Sequence, residues 1–163
     1  MQTTRDIRRM AFQAMFQLDA VGEPDLDALR AGLAQSDRPD GKPVTPESVQ
    51  QAIELAQAAF RERRHADDAV RALAPTWPAH RQPAVDRAIL RVAHYEMTRG
   101  DSNPKVVVND AIEIAKAFST EQSPAFINGV LDKVLKQVLA DKQARTASSH
   151  EPAEPASPAT TKD

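Results

Sequence analysis

Residues Val106 to Val134 read VVVNDAIEIAKAFSTEQSPAFINGVLDKV, a stretch that encodes two helices joined by a short polar turn. Val108, Ala111, Ile112, Ala115 and Phe118 recur at helical spacing in the first. Phe126, Ile127, Val130, Leu131, Val134, Leu135 and Val138 do so in the second. Ser123 is placed to cap that second helix, with Pro124 at its first position, where a missing N–H loses no bond. Gly129 inside the helix costs about 1 kcal/mol relative to alanine, which a close helix crossing would explain.

The same period continues upstream. Pro83 opens a helix with Val85, Ile89, Val92 and Glu96 on one side. Ala88, Leu90 and Tyr95 broaden its apolar surface, so it should lie centrally and meet several neighbours. GDSNP, Gly100 to Pro104, is a turn. At the amino end, Ile7, Met10, Ala11, Ala14 and Leu18 make the stripe of a helix from Thr4 to Ala20, widened by Phe12, Met15 and Phe16. Gly22 and Pro24 end it, and a short helix from Leu26 to Leu33 follows. SDRPDGKP from Ser36 is a loop. Thr45 caps a third helix that starts on Pro46 and buries Val49, Ile53, Ala56 and Phe60. RERRH, Arg61 to His65, reads as its solvated end. A short helix from Asp67 to Leu73 stops at Pro75 and Pro78, which flank Trp77.

This makes an all-α chain of two small packed halves, about 1–79 and 80–143. Residues 144–163 are rich in Pro, Ala, Ser, Thr and Glu and read as a disordered tail. The 163 residues suffice for one real core or two small packed ones. The formal net charge is -2, so nucleic-acid binding would need a local positive patch. Cysteine is absent, which removes disulfides, thiolate chemistry and cysteine-ligated metal, and fits a cytoplasmic setting. No apolar run is long enough to span a membrane.

Arg5, Arg8 and Arg9 supply cations on the first helix, three against the single Asp6 in residues 1–17, a local net of +2. Phosphate contact requires such charge held on a defined surface. Gln13 and Gln17 extend the polar face. Around the last turn stand Asn109, Lys116, Ser119, Thr120, Gln122, Ser123 and Asn128, with Phe126 able to stack on an exposed base. Enzyme signatures fail. The four histidines show no ligand spacing, and no glycine-rich phosphate loop or nucleophile elbow occurs. No catalytic residue, metal or cofactor is expected.

RRMAFQAMFQLD (Arg8 to Asp19), VDRAILRVAHYEM (Val85 to Met97) and, most specifically, KVVVNDAIEIAKAFSTEQSPAFINGVLDKV (Lys105 to Val134) resemble the NusB family of bacterial transcription antitermination factors. The resemblance implies two perpendicular three-helix bundles with seven helices in all. It implies pairing with ribosomal protein S10 (NusE), binding of boxA RNA in nascent ribosomal RNA leaders, and assembly with other Nus factors and RNA polymerase. It also permits a homodimer. By resemblance, RNA is bound by Arg5, Arg8, Arg9, Gln13, Lys105, Gln122, Ser123, Phe126 and Asn128. The S10 side involves Arg91, Tyr95, Glu96, Asn109 and Asp110.

The chain departs from the family's pattern at Asp6, which breaks the arginine run, and at Asp110, which replaces the usual glutamate. Gln122 stands where the family often has an acid. That exchange relieves phosphate repulsion and should strengthen RNA binding. Two alternatives differ in class. One is a protein-interaction module without RNA binding. The other is the auxiliary domain of an RNA-modifying methyltransferase, which would need a separate catalytic domain and a catalytic cysteine.

Overall fold

A computed structural model describes residues 3–36, 38 and 40–149. Within them the chain forms seven α-helices: α1 (Arg5–Val21), α2 (Leu26–Ala34), α3 (Pro46–Arg61), α4 (Arg63–Leu73), α5 (Ala84–Arg99), α6 (Pro104–Phe118) and α7 (Ser123–Ser148), with a 3-10 turn at Ala79–Arg81. Side chains start four of them. Thr4, Asp25, Thr45 and Asn103 accept backbone N–H groups in the first turns of α1, α2, α3 and α6. Pro46 and Pro104 begin α3 and α6. Gly22 closes α1 at φ 75°, where its N–H reaches the Leu18 carbonyl at 2.8 Å.

One apolar cluster joins all seven helices. Met10, Ala14 and Met15 of α1 have no exposed surface and face α3, whose Ala52, Ala56 and Ala59 allow close approach. As its pattern predicts, α5 is central, packing against α1, α3, α4, α6 and α7. Ile127, Leu131 and Val134 of α7 complete the core.

Ion pairs fix the pairing of α1 and α5. Arg8, early in α1, meets Glu96, late in α5. Asp19, late in α1, meets Arg87 and Arg91, early in α5. The two helices therefore run antiparallel. Arg91 also reaches Asp67 at 2.7 Å and ties in α4.

Several expectations need correction. RERRH does not end one helix. The chain breaks at Glu62 and restarts as α4, because Arg63 turns back to give an N–H to the Phe60 carbonyl at 2.8 Å and lays its guanidinium on the Phe60 ring. Phe16 is 41% exposed and Phe118 42%, so neither is core, although the Phe118 ring lies against Phe12. Ser123 is not the cap of α7, since its hydroxyl is taken by Asp86. Gly129 marks no close crossing, because an added Cβ would meet nothing within 4 Å. Residues 144–148, expected in the tail, continue α7. The rest of the expected tail, from 150 onward, lies outside the described residues.

Candidate nucleic-acid interface

The three arginines of the first helix do not form one basic face. Arg5 is exposed and gives Nε–H to Asp110 at 2.8 Å, which pushes its pKa up. Arg8 is buried, with Nε 2.6 Å from Glu96 and Nη1 2.7 Å from Asp110. Both of its carboxylate partners are buried as well. Burial pushes the Glu96 carboxyl up, although Arg8 pulls the other way. Arg9 is 7% exposed, with Nη1 3.8 Å from Asp6 and, among the described residues, no partner for Nε and Nη2. Arg38, from the α2–α3 loop, reaches Asp6 and Asp40 at 2.9 Å each. Four guanidiniums thus stand against Asp6, Asp40, Glu96 and Asp110. This end of the molecule is close to neutral, whereas the sequence count of the helix alone gives +2.

The expected residues therefore separate. Arg8 and Arg9 are buried, with guanidinium nitrogens turned toward carboxylates. Arg5 and Lys105 remain exposed, and Gln13 is half-buried, its amide oxygen without a partner among the described residues. Of the residues expected to face S10, Arg91, Glu96 and Asp110 are buried in ion pairs. Tyr95 is half-buried and Asn109 is exposed. Charge alone could not distinguish a surface arginine from one folded onto a distant acid.

Gln122, Ser123 and Phe126 of the expected set converge, whereas Asn128 and Lys105 do not line the same cleft. Between the α4–α5 connection and the α6–α7 turn lies a cleft of about 580 Å³. Thr76, Trp77 and Pro83 line one side, and Thr120, Gln122, Ser123 and Phe126 the other. Asp86 at its base is 3% exposed. The Ser119 hydroxyl and the Ser123 hydroxyl, at 2.8 Å, both donate to the Asp86 carboxylate. Thr120 then supplies the proton for its 2.7 Å contact with Ser123. This ties α5 to the α6–α7 turn and fixes the start of α7, whose first turn carries Phe126.

Ser123 acts here as a buried strut, and Gln122, Phe126 and Asn128 are left partly or fully accessible. Lys133 lies two turns beyond Phe126 on the same face of α7, its ammonium near the Leu73 carbonyl. The cleft offers aromatic faces, hydroxyl and amide groups, and a cation at its rim. These are the elements that hold an unpaired base and its phosphate. Among the described residues no group of three or more His, Asp or Glu side chains is placed to hold a metal ion.

Trp77 was not among the expected site residues. Its signal was present, however: a large aromatic between two prolines, in a connection that cannot be helical and so cannot enter a helix stripe.

The model of the NusB family matches residues 5–136. The chain is 39% identical over 142 residues to the transcription antitermination protein NusB of Solibacter usitatus, covering 85% of this chain and 92% of that relative. Against the same protein of Symbiobacterium thermophilum it is 38% identical over 135 residues, covering 81% and 88%. The solved structure of T. maritima NusB superposes with a TM-score of 0.69 at 27% identity, covering 89% of this chain and 99% of that one. A structure of antitermination factors NusB and NusE in complex with dsRNA shares the fold, with a TM-score of 0.65 at 22% identity over 82% of this chain and 96% of that one. The match runs from the first residue of α1 into α7, through every helix that builds the core and both walls of the cleft, and the chain belongs to the NusB family of transcription antitermination proteins.

Proposed function

We propose that this chain binds boxA RNA of nascent ribosomal RNA together with ribosomal protein S10 (NusE), and so suppresses premature termination in the cytoplasm alongside other Nus factors and RNA polymerase. The family's role is non-catalytic antitermination. The observation that carries the finer reading is the cleft beside the α6–α7 turn, where Gln122 and Phe126 are presented on a rigid Asp86–Ser123 strut. A protein of the same fold is solved with NusE and dsRNA, which supports the pairing.

In this reading Gln122, Phe126, Asn128, Arg5 and Lys105 touch RNA. Arg8, Arg9 and Ser123 shape the helices that carry them. Asn109 and Tyr95 face S10, with Arg91, Glu96 and Asp110 as internal supports. A second reading, a protein-binding module without RNA contact, is favoured by the neutralised arginines at the start of α1.

The test is a titration of labelled boxA-like RNA with the protein alone and with S10, at several salt concentrations. Tight, salt-sensitive binding by the mixture, reduced in Phe126→Ala and Lys105→Ala variants of unchanged helicity, supports the proposal. Equal weak binding to scrambled RNA, with or without S10, rejects it in favour of the protein-binding module.

A further inference from the structure

Trp77 is 42% exposed, although tryptophan has more apolar surface to hide than any other residue. The backbone beneath it is nevertheless held firmly. Its N–H reaches the Ala74 carbonyl at 3.0 Å, and its own carbonyl accepts from the Gln82 side-chain amide at 3.1 Å. Gln82 is itself buried. Arg87, anchored on Asp19, gives Nη1–H to the Ala79 carbonyl at 2.9 Å. Pro75 and Pro78 restrict the chain on both sides. An indole on a pinned loop with its face uncovered loses little conformational freedom when a ligand lands on it.

We infer that Trp77 is a stacking platform for an unpaired base of single-stranded RNA, with Phe126 as the facing aromatic wall of the same cleft. This rests on the RNA-binding reading above and adds a residue to it. The charges orient the strand. A phosphate driven to the base of the cleft would meet the Asp86 carboxylate, which already has its hydroxyl partners. A neutral base meets the Gln122 amide and the Thr120 hydroxyl instead. Phosphates then run outside the cleft, where exposed Lys133 stands by the Leu73 carbonyl and exposed Arg81 ends the 3-10 turn of the connection that carries Trp77. An acidic peptide would put its carboxylates against Asp86, so the arrangement favours a ligand with an uncharged flat body and a charged backbone.

Trp77 is the sole tryptophan of the chain, so its emission in the unmodified protein reports on this cleft alone. Single-stranded boxA-like RNA is titrated into the full chain with and without S10, following emission and gel retardation in parallel. S10 with RNA but without this chain serves as the blank. Saturable quenching with the same midpoint as retardation is expected. Trp77→Phe should bind within about threefold of the unmodified protein, and Trp77→Ala should bind roughly five- to a hundredfold more weakly. Should Trp77→Ala fail to fold, the quench and the Phe variant still decide. Retardation without any change in emission, or unaltered affinity in a folded Trp77→Ala, overturns the platform and leaves RNA binding intact. Quenching by S10 alone, unaffected by RNA, also overturns it and marks the cleft as a protein contact. Absence of RNA binding under every condition removes both readings.

Discussion

Arg8 and Arg9 are neighbours of the same type, both buried, and they should respond to substitution in opposite directions. Arg8 bridges Glu96 and Asp110, and Arg5 holds only the second, so Arg8→Ala leaves the buried Glu96 without its cation and should cost about 3–5 kcal/mol in a denaturant titration. Among the described residues Arg9 has only a long contact to Asp6, and two of its nitrogens have no partner there. Arg9→Met keeps the stem, removes an unsatisfied charge and should raise stability by about 1 kcal/mol. A fall in the denaturation midpoint would show that Arg9 has a use its contacts do not reveal.

His94 supplies a pH dependence. Burial first, then His65 and Arg99, hold its imidazole below the ordinary 6.5. The unfolded chain therefore takes up the proton first as pH falls. The stability His94 contributes is present above about 6.5 and is lost as pH drops through its lower folded value. Comparing denaturation midpoints at about pH 7.5 and about pH 5.5 should show this loss, and His94→Gln should remove that part of it. An identical pH response in the variant would sink the assignment. None of these residue fates was legible in the chain. Helical spacing locates a side chain on a face, but whether that face is buried for a charge depends on acids 88 and 102 residues away.

Helices were far more legible than the side chains upon them. Proline at the first position and a polar cap before it marked the start of α3, because both signals act within one turn, whereas the same pair at Asn103 and Pro104, which starts α6, was read as part of a turn. The break at Glu62 was missed, since it depends on Arg63 folding back over Phe60 and no breaker residue stands there. The end of α7 was missed for a different reason. After Val134 no residue of α7 is buried, and the Ala, Lys, Gln and Arg of its last turns suit a helix and a loose tail equally. Gly129 tests this helix directly. With open space at its Cβ position, Gly129→Ala should raise the denaturation midpoint by an amount equivalent to about 1 kcal/mol. A loss would mean that the glycine is needed for something other than the helix.

Across the whole molecule, one apolar cluster and a helix touching five others argue against independent halves. Heating or denaturant should unfold the described body in one transition, with fluorescence of Trp77 and helical circular dichroism losing their signals together. Two separated transitions would show that the parts before and after the Leu73–Pro83 connection melt on their own. The all-helical architecture was readable from periodicity, and the central place of α5 from its apolar surface on more than one side. The cleft was not, because its walls come from two connections that meet only after the helices have packed.

The antiparallel pairing of α1 and α5 has a mechanical consequence. A contact fastened at one point can pivot, and a greasy contact can slide. Here Arg8–Glu96 pins one end and Asp19 grips Arg87 and Arg91 at the other. Sliding by a single helical turn, about 5.4 Å, would break both pins at once, taking Asp19 away from Arg87 and leaving Arg91 only its pair with Asp67. The joint behaves as a doubly bolted beam. Arg87 is also the residue that holds the Ala79 carbonyl, so the same bolt that stops α1 from sliding keeps the wall carrying Trp77 in place.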